Sequence, residues 1–397
     1  MTWSPKRLDQ LGHVSRGRSR HRPRDAAHLY GGPFPFIQTG DVKHAGLYIT
    51  EYQQTYSEAG LAQSKLWPAG TLCITIAANI ADTAILGIDA CFPDSVIGFI
   101  PDPDEADARF VKYLFDATIQ RQVKQFTQGA AQDNLSQEKL LSLEFNVPKV
   151  DEQKNIASIL SNYDNLIGIN NRRIALLEES ARLLYREWFV YLRFPGHECV
   201  KNVDGIPEGW EKKKLCDIAA INRKNLSGSF EGKIEYIDIA SVSPGRIDET
   251  TAYEFRDAPS RARRIVQHGD IIWSCVRPNR RSHAVIWNPP ENLIASTGFV
   301  IISPRNLPAS FLYQALTTDS FVGYLANHAK GAAYPAVVAA DFERAEVLVP
   351  RDSLLLAFNE FVEPQLFQTH KLMQQNEKLK QARDLLLPRL MNGEFAV

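Results

Sequence analysis

The side chains of this chain that could make or break a bond are nine histidines, five cysteines and one Asn-Pro-Pro tripeptide, and none stands at a catalytic spacing. Asn288-Pro289-Pro290 begins like the Asn-Pro-Pro-aromatic motif that grips a flipped adenine for methylation, but Glu291 follows where the ring should be. No strand, glycine loop and helix for a cofactor stands upstream, so the tripeptide, lying between two strand-like runs, reads as a turn. The histidines form no His-Glu-x-x-His pair, and no Gly-x-x-x-x-Gly-Lys-Ser/Thr loop is present to cradle a triphosphate. Cys73, Cys91, Cys199, Cys216 and Cys275 are scattered and never spaced Cys-x-x-Cys, which favours reduced thiols in a cytoplasm over disulfides or a zinc site. The acidic run Asp102-Pro103-Asp104-Glu105 has no basic partner at nuclease spacing and is expected to cap the helix after it. The expectation is a chain without catalytic residues, metal or cofactor of its own.

What remains is the chemistry of recognition. Net charge is −1, so bulk charge points to no nucleic acid, but its distribution does. Residues 1–24 hold Lys6, Arg7, Arg16, Arg18, Arg20, Arg22 and Arg24 against Asp9 alone. Residues 256–283 hold Arg256, Arg261, Arg263, Arg264, Arg277, Arg280 and Arg281 against Asp257 and Asp270. Two basic segments in a neutral protein suit phosphate binding, and a solvated surface is the alternative. Bases are read by arginine on guanine and by asparagine or glutamine on adenine. In the first half the candidates are Arg16, Arg18, Arg20, Gln38, Thr39, Asp41, Lys43, Asn79, Gln128, Gln132 and Asn134. In the second half they are Arg223, Lys224, Ser241, Arg277, Asn279, Arg280, Arg281, Lys330 and Tyr334. Most true contacts should go to phosphate and carry no sequence information.

The elements that must carry these residues come twice. Trp3 opens the first half and Trp210, ahead of Leu215, the second. Phe36-Ile37-Gln38 lines up with Tyr236-Ile237-Asp238, and Gly70–Ile74 with Gly269–Trp273. Gly129-Ala130-Ala131 returns as Gly331-Ala332-Ala333 and Val147-Pro148-Lys149 as Val349-Pro350-Arg351, both 202 residues on. An ordered series of this kind reads as tandem duplication. In each half, short β-type runs (Leu72–Ala77, Val96–Ile100, Ile234–Ile239, Ile271–Val276, Phe299–Ile302) mix with a helix (Ala108–Phe126; Ala309–Ala329), and a long helix follows. At 397 residues, 44% hydrophobic and 23% charged, the chain suits a soluble globular protein of two or more domains. The arginine-rich first residues contain no apolar stretch that could act as a signal peptide, and no apolar run nears the ~20 residues that cross a bilayer, so a cytoplasmic protein off the membrane is expected.

The first long helix, Glu152 to Phe189, would span about 55 Å at ~1.5 Å per residue. Along it Ile156, Leu160, Tyr163, Ile167, Asn170, Ile174, Leu177, Ala181, Leu184 and Trp188 alternate spacings of four and three, a coiled-coil seam with one polar position. Asn170 is expected to control register, with a solvated seam edge as the alternative. In the second helix Leu372, Leu379 and Leu386 repeat every seven residues, and Pro364 is expected to start, kink or break it. Asn376 lies four residues from the position that matches Asn170, so no register role is assigned to it.

Several segments resemble the specificity subunits of type I restriction–modification systems. They are Gly129-Ala130-Ala131-Gln132-Asp133-Asn134-Leu135-Ser136, Val147-Pro148, and Glu152-Gln153-Lys154-Asn155-Ile156-Ala157-Ser158-Ile159-Leu160. Asp164, Leu184-Tyr185-Arg186-Glu187-Trp188-Phe189, Phe194-Pro195-Gly196-His197, Ile206-Pro207-Glu208-Gly209-Trp210 and the ending Leu385–Phe395 continue the likeness. The second half departs from it, with Leu354 and Leu355 where Glu152 and Gln153 stand, and Tyr334-Pro335-Ala336 for Gln132-Asp133-Asn134. The resemblance implies an α+β chain with two mixed α/β target-recognition domains (1–150 and 201–351). Two conserved helical regions (151–200 and 352–397) would join them, forming an antiparallel coiled coil with a pseudo-twofold repeat. It implies a bipartite double-stranded DNA site whose gap the helices set. Two methyltransferase subunits would dock on the helices and bring S-adenosylmethionine, and a motor–nuclease subunit would complete the restriction enzyme. The competing readings are a coiled-coil adaptor with two protein-binding domains and a self-contained methyltransferase or nuclease.

Overall fold

The computed structural model describes residues 3–77, 80–126, 136–331 and 333–395. The chain divides into two compact units, residues 1–171 with 374–397, and residues 172–373.

In unit 1 a five-stranded sheet runs in the order Gly12–Arg16, Val96–Pro101, Leu72–Thr75, Thr83–Leu86, Tyr48–Ile49. A four-stranded sheet runs Gln54–Tyr56, Tyr30–Phe36, Ala90–Cys91, Leu66–Trp67, with one parallel pair between Tyr30–Phe36 and Ala90–Cys91. Ser4–Arg7 pairs with Glu144–Val147 apart from both. The strand Leu72–Thr75 is buried throughout, and the period of two explains how. Leu72 and Ile74 face a core with Phe110, Leu114 and Leu160, while Cys73 faces a second core with Trp67 and Phe92. Those two rings stack 4.8 Å apart beside Gly98, where a β-carbon would come within 2.7 Å of Trp67.

Unit 2 repeats this plan. One sheet runs Ala219–Ile221, Phe299–Pro304, Ile271–Ser274, His283–Val285. The other runs Thr251–Glu254, Lys233–Ile237, Leu293–Ser296, Ala262–Ile265, again with one parallel pair, between Lys233–Ile237 and Leu293–Ser296. Ile271 and Trp273 face one core and Ile272 the other, as Leu72, Ile74 and Cys73 do in unit 1. Glu211–Lys214 pairs with Glu346–Val349, the counterpart of Ser4–Arg7 with Glu144–Val147. Apart from Tyr48–Ile49, a fifth strand paired parallel with Thr83–Leu86 in unit 1, the two sheets of each unit match in strand order, and this is the structural form of the sequence repeat.

Both long helices, Val150–Tyr185 and Asp352–Met391, contribute residues to each unit. In unit 1, Asn170 bonds Asn376 and Asp164 pairs with Arg383. The numbers of each pair sum to about the same value, so within this unit the helices run antiparallel. In unit 2, Tyr185, Trp188 and Phe189 pack on Phe358. No seam residue from Ile156 to Trp188 is exposed, whereas Leu166, Ile169, Leu176 and Leu183 between them are. The first helix ends in a π-helical turn, Arg186–Val190.

Several local expectations need correction. Pro364 neither starts nor breaks the second helix, which continues through it. Pro364 and Glu360, whose carbonyl loses its helical donor, are both exposed, so water can satisfy that carbonyl, and Phe358, Val362 and Leu366 pack on either side. The helix after the acidic run is capped by Asp107, whose Oδ1 accepts from the N–H groups of Arg109 (2.8 Å) and Phe110 (3.3 Å). Asp102 instead holds a turn by accepting from the Asp104 N–H, and Glu105 pairs with Lys6. Residues 309–329 form two helices, Ala309–Leu316 and Asp319–His328, because Thr318 caps the second through its hydroxyl (3.3 Å to the Phe321 N–H). The replacement of Gln153 by Leu355 has a plain cause. Gln153 is buried and donates to the carbonyls of Glu105 and Pro148, whereas Leu355 packs into the apolar core of unit 2.

Candidate nucleic-acid interface

Unit 2 gathers its candidates from two loops far apart in sequence. Loop 277–281 follows the strand Ile271–Ser274, and loop 330–336 follows the helix Asp319–His328. The Arg277 N–H donates to Pro335 O at 2.7 Å, and the Val337 N–H to Cys275 O at 2.9 Å. Lys330 and Ala336 exchange two backbone bonds of 2.9 Å, which closes the second loop. The outcome is one surface bearing Arg277, Asn279, Arg280, Arg281, Lys330 and Tyr334. The Arg277 guanidinium lies 4.5 Å from the Tyr334 ring centre, and Tyr334 is 68% exposed. Arg281 is paired with Asp319. Arg280 and Lys330 are exposed, and neither has an ion-pair partner among the described residues.

Other unit 2 candidates are turned elsewhere. Arg223 donates to the Gln267 side chain, and Lys224 is exposed beside it. Ser241 is buried, with its hydroxyl 3.5 Å from Glu249. Of the remaining basic residues in 256–283, Arg263 lies over Phe255 at 4.7 Å, Arg264 donates to Asn225 at 2.9 Å and Arg256 pairs with Asp257. Asn288, at φ 41°, lies in the turn between strands His283–Val285 and Leu293–Ser296.

In unit 1 much of the N-terminal positive charge is used internally. Asp94 receives both Arg24 (2.8 Å) and, through its backbone carbonyl, Arg16 Nε (3.0 Å). Arg22 donates to the carbonyls of Ser19 and His21, and Arg7 pairs with Asp9. Arg18 and Arg20 remain exposed, with no side-chain bond among the described residues. Residues 63–65 hold their loop, a role that no local pattern announced. Gln63 Oε1 accepts from the Arg20 and His21 N–H groups, and the Ser64 hydroxyl donates to Arg18 O. Lys65 lies 3.7 Å over Trp67, and burial, then the neighbouring Arg18, hold its pKa below the usual lysine range.

Gln38 donates to Gln54 at 2.6 Å, while the Asp41 carboxylate accepts the Gln38 N–H and so caps the short helix Thr39–His44. Thr39 is half-buried and Lys43 exposed on that helix. Asn79, Gln128, Gln132 and Asn134 lie outside the described residues. Pairing registers relate the units: Pro101 faces Gly12 and Pro304 faces Ala219, so Arg16 and Arg223, four residues on, hold corresponding places.

Among the described residues, no three His, Cys, Asp or Glu side chains converge to hold a metal, and no helix is long and apolar enough to cross a membrane.

Known proteins resemble the chain in the same sense. Residues 1–179 match the family described as the type I restriction modification DNA specificity domain. The specificity subunit of the type I restriction enzyme MjaIX of Methanocaldococcus jannaschii is 24% identical over all of this chain and 94% of its own length. That of HindI from Haemophilus influenzae is 22% identical over 97% of this chain and 98% of its own. The crystal structure of a type I restriction–modification S subunit from M. genitalium shares the fold, with a TM-score of 0.61, 17% identity, and 98% and 96% of the two chains covered.

Proposed function

We infer that this chain, which belongs to the type I restriction–modification specificity subunits, reads a bipartite DNA site and leaves the chemistry to its partners. The observation that carries this is the repeat: two units that share eight strands in the same order, one of which joins two distant loops into an exposed surface of arginine, lysine, asparagine and tyrosine. Such a surface suits a duplex, since cations meet phosphates and planar donors meet base edges. Residues 1–150 and 201–351 act as target-recognition domains, one per half-site. Arg16, Arg18, Arg20 and Lys65 supply positive charge in the first domain. Arg223, Lys224 and the loops 277–281 and 330–336 do so in the second. Residues 151–200 and 352–397 set the gap, and their outer faces take two methyltransferase subunits.

The base to be methylated is unreachable inside the duplex, so the methyltransferase partner must flip it and supply S-adenosylmethionine. What this chain contributes is register: it fixes which adenine faces which partner. A motor–nuclease subunit joining the assembly adds cleavage.

The test is methylation sequencing of a host with and without the gene, beside a binding assay on the purified assembly. The expected outcome is one bipartite adenine-methylated motif that appears only with the gene, and binding that weakens steeply with salt. Methyl transfer by the isolated chain, or a methylome indifferent to it, defeats the reading.

A further inference from the structure

Loop 277–281 is built in a way that a merely charged surface does not require. Arg277 and Arg281 both lie in the left-handed region, at φ 50° and 55°, with the 3-10 turn Pro278–Arg280 between them. A β-carbon is disfavoured there, and such residues persist where their surroundings hold them, often at functional sites. Arg277 is held from three sides. Its N–H is bound by Pro335 O at 2.7 Å, its Nη2 donates to Ala333 O at 3.3 Å, and its guanidinium lies against Tyr334. The charge of Arg281 is met by Asp319. Arg280 and Lys330 are exposed and have no ion-pair partner among the described residues.

We propose that Arg277, supported by Tyr334, is the guanine-reading side chain of unit 2, that Arg280 and Lys330 hold phosphates, and that Arg281 shapes the loop. The assignment rests on the DNA-reading function proposed above and divides its labour among residues. A phosphate is well served by a mobile cation, which needs only charge and reach. A base edge is distinguished from its neighbours only by donors that arrive in a fixed plane. A guanidinium resting on an aromatic ring has that plane set before binding. Of its five N–H donors one is used by Ala333 O, and the others form a fork that fits the adjacent O6 and N7 acceptors of guanine. Adenine presents a donor beside its N7, which opposes such a fork.

The experiment uses the full chain assembled with its methyltransferase partner. Binding is measured to its methylated duplex with each guanine replaced in turn by 7-deazaguanine, which lacks N7. In the wild type one guanine of one half-site should show a loss of about fivefold or more. In Arg277→Asn, chosen because asparagine tolerates this backbone region, that loss should vanish, and the same position should become degenerate in the methylated motif. Tyr334→Ala should shrink the loss and Tyr334→Phe should keep it. Arg280→Ala should weaken every duplex alike and lower the log–log salt slope by about one. If Arg277→Asn instead weakens all duplexes equally and lowers the salt slope, Arg277 holds a phosphate and the assignment is overturned. A wild type that binds with no guanine loss overturns it too. A wild type that binds no duplex at all overturns the DNA-reading function itself, a distinguishable result.

Discussion

Asp164 shows how much one carboxylate can hold. It accepts the Tyr113 hydroxyl at 2.5 Å and pairs with Arg383, so it ties the helix Ala108–Phe126 of unit 1 to both long helices. Burial, then the Asp164 charge, push the Tyr113 phenol up; on Arg383 burial lowers the pKa, but Asp164 and Asp384 together outweigh it and the pKa is raised. The Asp164 side chain is only 9% exposed, so Arg383→Ala strands a buried charge. It should destabilise unit 1 by about 3–5 kcal/mol in urea unfolding, and an Asp164→Leu/Arg383→Met double variant should recover most of that loss. Recovery no better than the single variant would place the role elsewhere. His283 allows a pH test in unit 2. Burial, then Arg281, hold its pKa down to about 4, and its Nδ1 lies 3.2 Å from the Tyr313 hydroxyl. Its folded value lies below the unfolded one of ~6.5, so the unfolded state takes up the proton first. Stability from the neutral ring is complete above about pH 6.5 and is lost as pH falls toward 4, on the order of 3 kcal/mol. Glu178, raised by burial, acts in the opposite direction. The measurement is therefore the difference between wild type and His283→Gln across that window, which should shrink on acidification.

The antiparallel pairing of the helix segments in unit 1 is marked by one polar layer. Asn170 Nδ2 donates to Asn376 Oδ1 at 2.9 Å, Asn376 Nδ2 donates to Asn171 Oδ1 at 2.8 Å, and both Asn170 and Asn376 are buried. Asn170 Nδ2 also reaches Gln375 Oε1 at 3.3 Å, so the layer joins Asn170 and Asn171 of one helix to Gln375 and Asn376 of the other, and a slip by one turn would break the buried Asn170–Asn376 bond. Asn170→Ala should cost about 1–3 kcal/mol, because Asn376 Oδ1 loses its buried donor while its Nδ2 keeps Asn171 Oδ1. Leucine at both positions should restore or raise the melting temperature while admitting more than one register. That register loss is visible as mixed cross-links between cysteines placed at exposed seam flanks. A double variant as weak as the single one would argue against a register role. The seam itself was legible in the alternating four and three spacings, and none of its residues is exposed, although Tyr163, Ile167, Leu177 and Leu184 are only half-buried. Asn376 was not, because the repeat offset of 202 predicts a pairing by homology, whereas antiparallel helices pair residues whose numbers sum to a constant.

At the scale of the molecule, the reading requires that half-site identity and half-site spacing be separable. Adding seven residues to each long helix beside the Asn170–Asn376 layer preserves the seam, since seven is its repeat. Each helix lengthens by ~10.5 Å, about three base pairs at ~3.4 Å, so the gap of the methylated motif should grow by up to three. The half-sites should not change, since no recognition residue is touched. Methylation sequencing of host cells carrying the extended gene decides it, and an unchanged gap would mean that the helices are not the spacer.

The duplication, the two α/β halves, the long helices and the apolar seam were all written in local pattern, because periodicity and ordered repeats survive in one dimension. The family likeness lay in contiguous motifs for the same reason. What tertiary structure decided was which charges remain available. Seven basic residues in 1–24 looked equivalent, yet Lys6, Arg7, Arg16, Arg22 and Arg24 bond Glu105, Asp9, Asp94 and the carbonyls of Ser19 and His21, and Arg18 and Arg20 are left without a side-chain bond among the described residues. Likewise Arg277, Arg280 and Arg281 form one cluster in sequence, but one lies on Tyr334, one is exposed and one is paired with Asp319. A charge has no period, and its partner can come from any distance along the chain, so only the folded chain assigns its role.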